Sequence, residues 1–280
     1  MENSENRQQH YHHGNQQKAI RWPFIRVFSL DRKSYAFVDI RDTKAHEFQE
    51  DAIESLVLPD KMLGLLSTVF RSDSRKLFGD LIAGKHGGMI ILANGPSGVG
   101  KTMTAETYAE TMGRPLYVME IGELGVSLKE VEENLQRVFA RATRWNAVLL
   151  MDEADVFMAE RGDDLERAAI VGVFLRLLDY YPGLLFLTSN RANVIDRAFQ
   201  SRITLKLDYP QLDADRRRKV WARMLKAAEL GCDDLDGVPD IEVNGRQIRN
   251  LTRLLKVLYE SEGKVTAEQI KDVTQFACTG

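Results

Sequence analysis

The spacing of apolar and polar residues changes period several times along this chain, and each change marks an element. Between residues 25 and 40, Ile25, Val27 and Phe28 are followed by Tyr35, Phe37, Val38 and Ile40. The polar stretch 29–34 separates the two sets, which predicts a β-hairpin. Leu58-Pro59-Asp60 then opens a helical pattern through Met62, Leu63, Leu65, Leu66, Val69 and Phe70, and a second helix is expected over 75–83. Further on, short continuous apolar runs at 89–93, 116–119, 147–151 and 184–187, with a strand-like run at 204–207, read as strands buried on both faces of a parallel sheet. Helical spacing separates them, over 130–142 and again over 165–180 through Ile170, Val173, Phe174, Leu177 and Leu178. Past Tyr209-Pro210 the pattern is strand-poor, with helices expected over 213–230 and 250–260. The expected architecture is α/β: a parallel sheet flanked by helices, a small C-terminal helical lid and a short N-terminal β element. Its expected divisions are a polar tail (1–17), a hairpin region (18–57), a nucleotide-binding domain (58–208) and a lid (209–280).

The first buried strand runs straight into Gly95-Pro96-Ser97-Gly98-Val99-Gly100-Lys101-Thr102, which supplies strand, glycine loop and lysine in mechanistic order. Glycines let backbone N–H groups wrap a phosphate chain, and a helix starting near Met103 would add its N-terminal dipole. Lys101 then reaches the terminal phosphates and Thr102 holds magnesium. The strand at 147–151 ends in Asp152-Glu153. In an open α/β sheet ligands gather at the C-terminal ends of strands, so Asp152 can orient Mg2+ while Glu153 polarises the water that attacks the γ-phosphate of ATP. The third strand ends at Thr188-Ser189-Asn190, where the Asn190 amide can hold that water opposite Glu153. Arg197 and Arg202 follow shortly before the next strand, and a planar guanidinium suits the charge that develops on a transferring phosphoryl group.

Over roughly residues 60 to 280 this order of motifs resembles the AAA family of the AAA+ ATPases. Gly95 to Thr102 resembles its Walker A, 149–153 its Walker B, 188–190 its sensor 1, and Ser201-Arg202-Ile203 its arginine-finger box, with Arg197 as the second candidate. The 130–142 segment resembles the helix after the central-pore loop. Gly245-Arg246-Gln247-Ile248 resembles sensor 2, with Arg249 as the alternate to Arg246. The resemblance implies ATP and Mg2+ as ligands, ATP hydrolysis, self-association into a ring, a hexamer by family habit, and remodelling or disassembly of a macromolecule, protein ahead of nucleic acid. A DNA-directed loader is the runner-up. A small-molecule P-loop kinase would share the glycine loop but has no use for the Asp152-Glu153, Asn190 and Arg202 set. The resemblance also places Leu81 or Ile82 against the adenine. Two departures stand out. The pore-loop-like segment 122–129 has no aromatic residue, leaving Val126 or Leu128 to grip a polypeptide, and Ser201-Arg202 replaces the longer two-arginine loop of the family's core members.

Composition narrows the picture further. The 280 residues are 44% hydrophobic, enough for an α/β domain with a helical appendage. A net charge of −3 gives no global attraction to nucleic acid. Arg216-Arg217-Arg218-Lys219 is a basic run on a helix face, while the hairpin region is basic and 42–60 is acidic, which leaves room for an adaptor at the N-terminal region. Cys232 and Cys278 form no disulfide framework or metal spacing, and His10-Tyr11-His12-His13 sits in a leader too polar to fold. No apolar run approaches a membrane span, and no secretory leader is visible, so the expected location is cytoplasmic with no membrane contact.

Overall fold

The computed structural model describes residues 23–71, 88–125, 127–158, 165–191, 195–232, 234–235, 237–238, 240–259 and 261–278. The chain divides into two compact units, 1–47 and 48–280. In the first, strands β1 (Phe24–Ser29) and β2 (Ser34–Asp39) pair antiparallel with Phe24 opposite Asp39 and Ser29 opposite Ser34. Its aromatic face is self-packed: the Arg26 guanidinium lies 4.2 Å from the centre of the Tyr35 ring, and Phe28 meets the same ring edge-on. The expected helix at 75–83 and the histidine-bearing leader lie outside the described residues.

The second unit is built on a five-stranded, all-parallel sheet with order β4-β5-β6-β3-β7. Its strands are β3 (Met89–Asn94), β4 (Leu116–Met119), β5 (Val148–Met151), β6 (Leu184–Ser189) and β7 (Leu205–Asp208). The three central strands β3, β5 and β6 are buried at every position, which is why they read as unbroken apolar runs rather than alternating ones. Helices α1 (Asp60–Arg71), α2 (Lys101–Thr111), α3 (Leu128–Trp145), α4 (Asp155–Met158) and α5 (Leu165–Leu178) connect or flank the strands. Ser127 caps α3 by accepting from the Glu130 N–H, while the Glu130 carboxylate accepts in turn from Ser127 N, a reciprocal capping box.

The structure draws the unit boundary ten residues earlier than the sequence pattern does. A short 3-10 turn at Glu50–Ser55 packs on α2, and the residues after it reach the core: Leu56 is 3% exposed and clusters with Leu66, Ile91 and Tyr108. Phe48, Ile53, Leu56 and Val57, scattered in a polar, acidic stretch, carry too little periodicity to reveal this.

The C-terminal part has its own core. Helices α6 (Arg197–Gln200), α7 (Ala214–Ala227), α8 (Gly245–Tyr259) and α9 (Ala267–Cys278) follow β6. Trp221 and Leu225 of α7, Ile248, Leu251 and Leu255 of α8, and Ile270 of α9 form one buried cluster. Helix α8 begins at Gly245, five residues before the expected start, so the sensor-2-like segment is its first turn. Helix α9 was not anticipated at all.

Candidate nucleotide-binding site

The strand register levels the site. Met151 lies opposite Leu187 and Asn94 opposite Ser189, so the residues just beyond β3, β5 and β6 emerge at one edge of the sheet. Gly95 N donates to Ser189 O at 3.1 Å and fixes the start of the phosphate loop against the end of β6. Gly100 caps α2 in the left-handed region at φ 102°, a conformation that favours glycine, so the helix starts at Lys101 rather than at Met103. Lys101 is 7% exposed, and its Nζ donates to Gly95 O (2.7 Å), Pro96 O (2.7 Å) and Asn190 Oδ1 (2.8 Å). Its three N–H donors are all satisfied at the mouth of the loop. Burial lowers its pKa, against the pull of Asp152 and Asp155 nearby.

Thr102 Oγ1 lies 3.2 Å from one carboxylate oxygen of Asp152 and 3.3 Å from the other. Thr188 Oγ1 donates to Asp152 and accepts from Glu153 N at 2.9 Å, tying the ends of β5 and β6 together. Glu153 sits at φ 53°, an uncommon conformation for a residue with a side chain, which departs from the strand and brings Glu153 to the cleft wall. Its carboxylate has no hydrogen-bond partner among the described residues. No group of three or more His, Cys, Asp or Glu side chains able to hold a metal occurs among the described residues. Thr102 and Asp152 supply two protein oxygens, which fits a magnesium ion that takes its remaining ligands from phosphate and water.

Asp155, absent from the sequence-derived candidates, braces Asn190. It accepts from Ser189 Oγ at 2.5 Å and from Asn190 N at 3.1 Å. The only signal was a carboxylate one helical turn beyond Asp152, which sequence alone does not separate from a solvated charge.

The opposite wall comes from the lid. Gly245 N donates to Gly98 O at 2.8 Å, and a Cβ on Gly98 would lie 2.5 Å from the Asn244 side-chain oxygen, so the phosphate loop and the first turn of α8 need a glycine to come this close. Between these walls runs a cleft of about 470 Å³, reached by Ser97 to Met103, Asp152, Glu153, Asn190, and both Arg246 and Arg249. The two lid arginines differ in what they face. Arg246 acts electrostatically on Lys101, whereas Arg249 acts on Glu106, whose pKa burial raises. Arg246 therefore stands at the phosphate end.

Neither Arg197 nor Arg202 lines this cleft. Arg202 Nε and Nη2 donate to the two oxygens of Asp179 at 2.6 and 2.9 Å, and Nη1 donates to Ala198 O at 2.7 Å. Arg197 is exposed at the start of α6. Arg216, Arg217 and Arg218 are each paired with a carboxylate, of Asp213, Asp240 and Asp215 respectively, so the basic run is largely neutralised within the lid. Leu128 is 38% exposed at the start of α3. Val126, Leu81 and Ile82 lie outside the described residues. No helix of the described residues is long and apolar enough to cross a membrane.

A parallel sheet whose inner strand β3 runs through a glycine loop into a lysine-led helix, with acidic residues beyond the next strand but one in the sheet, is a P-loop NTPase fold. Residues 91–211 match the model of the ATPase family associated with various cellular activities (AAA), so this segment of the chain is an AAA-family ATPase domain. Among curated proteins it is 30% identical over 138 residues to an ATPase family AAA domain-containing protein 3A homolog of Drosophila melanogaster, an alignment covering 46% of this chain and 23% of that one. It is 30% identical over 151 residues to an uncharacterized AAA family ATPase of Sinorhizobium fredii, covering 52% and 44%. It is 25% identical over 199 residues to a putative 26S proteasome regulatory subunit homolog of Methanothermobacter thermautotrophicus, covering 65% and 53%. The chain thus spans between about a quarter and about half of the length of these relatives.

Proposed function

We propose that this chain binds ATP with Mg2+ between its α/β domain and its lid, hydrolyses it, and assembles as a ring that remodels or disassembles a protein substrate. The observation that carries this reading is the convergence of Lys101, Thr102, Asp152, Glu153 and Asn190 on one wall of a cleft whose other wall presents Arg246. Backbone N–H groups of Gly98 and Gly100 and the start of α2 receive the phosphates. Lys101 exchanges its contacts with Asn190 and the loop carbonyls for phosphate oxygens, which frees the Asn190 amide for the attacking water. As that water bonds to the γ-phosphorus, Glu153 takes its proton and the bond to the bridging oxygen breaks, with ADP leaving; Thr102 and Asp152 would hold magnesium, which would neutralise phosphate charge. Arg246 reports nucleotide state to α8. Because Arg202 and Arg197 lie off their own cleft, a finger from this segment serves a neighbouring subunit, which ties turnover to assembly. The pairing of Arg216, Arg217 and Arg218 with carboxylates weighs against the DNA-directed alternative.

The test is ATP turnover of the purified chain together with its mass in solution, with and without ATP, alone and with unfolded protein or DNA added. An ATP-dependent assembly stimulated by polypeptide supports the reading, and stimulation by DNA alone replaces it with the loader. Mixing wild type with Arg202→Ala should give a curved dependence of turnover on mixing ratio. A straight line would sink the in-trans finger.

A further inference from the structure

The phosphate loop is fastened at both of its ends by one residue outside it. Tyr209 follows β7 and opens the segment that leads into the lid. Its N–H donates to Asn94 O at 2.7 Å, and its carbonyl stands so close to Gly95 that no Cβ would fit between them, so its backbone abuts the entry of the loop. Its side chain reaches the exit. The Tyr209 hydroxyl donates to Thr104 Oγ1 at 2.7 Å, and Thr104 Oγ1 donates in turn at 3.1 Å to the carbonyl of Gly100, the last loop residue before α2. Both residues are sealed from solvent: Tyr209 is 3% exposed and Thr104 is fully buried. Val99, inside the loop, belongs to the same apolar cluster as Tyr209. Burial pushes the Tyr209 pKa up to about 12, so the hydroxyl keeps its proton and remains a donor at any working pH.

An apolar ring at position 209 would fill the core as well as tyrosine does, so packing alone does not call for the hydroxyl. What the hydroxyl adds is direction. A buried polar group without a partner is costly, so the Tyr209–Thr104–Gly100 relay has one arrangement of low energy and fixes the exit of the loop relative to its entry. Lys101 Nζ sits across that opening, on the carbonyls of Gly95 and Pro96. We infer that Tyr209 is a positioning residue of the phosphate site, its backbone and its hydroxyl clasping the two ends of loop 95–100 and holding it at the width a phosphate chain needs. This rests on the cleft being a nucleotide site. Tyr209 does not itself line the cleft, so it acts through the loop. Leu212, three positions on, does line it, and Asp213 caps α7, so the clasp sits where the lid joins the sheet.

The test is calorimetric titration of the full chain in magnesium buffer with two ligands: ATP and inorganic tripolyphosphate, which has the phosphates without the base. Tyr209→Phe should weaken both alike, by about 5-fold, the loss of one modest hydrogen bond. Thr104→Val should weaken both by at least about that factor, and the double variant should bind within about twofold of Thr104→Val, because the two side chains act as one unit. Thr104→Ser, which keeps the hydroxyl, should bind within about twofold of wild type. Thermal melting of each variant without ligand checks the fold, and Tyr209→Phe, which removes a single oxygen, stands as the probe if Thr104→Val melts early. A lowered melting temperature with both affinities unchanged shows a packing role and overturns the inference. So does a loss confined to ATP, which would place the effect at the base, or a loss in the double variant equal to the sum of the two singles. A wild type that binds neither ligand overturns the nucleotide reading itself.

Discussion

The two ends of the cleft are made in different ways. At the phosphate end, eight consecutive residues and two strand termini supply nearly everything, and the contacts are closed: Lys101 has three acceptors, and Asp152 is tied to Thr102 and Thr188. At the other end, the wall is gathered from residues near 57 and near 220, more than 150 positions apart, and one Arg223 nitrogen enclosed there has no hydrogen-bond partner among the described residues. A site for a ligand common to many proteins is encoded locally and rigidly. The wall away from the loop is assembled by tertiary packing between distant segments.

If that contrast is right, the largest effect belongs to Lys101. Lys101→Ala removes the only lysine at the loop and also the three bonds that organise its mouth. ATP affinity measured by titration should fall at least 100-fold, since hydrogen bonds to ionised groups are about twice as strong as neutral ones. Retained affinity would mean that the lid end, not the loop, dominates binding. Next in size is Glu153→Gln, which keeps shape and loses the proton acceptor. Turnover should fall about 10²–10⁴-fold, the range of general base catalysis, with ATP affinity changed less than about threefold. Full turnover in that variant would strip Glu153 of its role.

Asp155→Asn is the intermediate case. The carboxylate receives both Ser189 Oγ and Asn190 N, and an amide side chain can accept with only one of its two ends. Loss of one charge-assisted bond should loosen Asn190 and lower kcat about 10-fold while leaving ATP affinity near wild type. Reduced affinity with unchanged kcat would place Asp155 in loop folding instead of in orienting Asn190.

The same contrast explains what the sequence made legible. Buried parallel strands announce themselves as apolar runs, and Gly95 to Thr102 and Asp152-Glu153 are contiguous, so the sheet, the loop and the acidic pair could be read directly. The start of α8 was harder. Asn244 caps it through a reciprocal bond with Gln247, a pairing that sequence shows only as two amides three apart. Asp155 was out of reach because a carboxylate on a short helix looks like a solvated charge. What changes its meaning is a partner more than thirty residues away. The arginine run at 216–218 errs in the other direction: it stands out in sequence, and the fold spends it on Asp213, Asp240 and Asp215.

The smallest effect tests the middle of the cleft, where the two ends meet. Glu106, on α2, lines the cleft across from Arg249, and burial raises its pKa above the ordinary 4.5 despite that arginine. A carboxyl whose folded pKa is raised carries a penalty while both states are ionised. The penalty is present at neutral pH and is relieved as pH falls through the folded pKa toward 4.5, because the folded state then takes up its proton first. Glu106→Gln should therefore raise the melting temperature of the ligand-free chain at pH 7 by about 1–2 °C, small because solvent reaches this side chain. The gain should shrink as the buffer is taken down toward pH 4.5. A gain that does not depend on pH would point to packing, and a loss at neutral pH would show that the pull of Arg249 outweighs burial, making Glu106 a fastening between α2 and the lid.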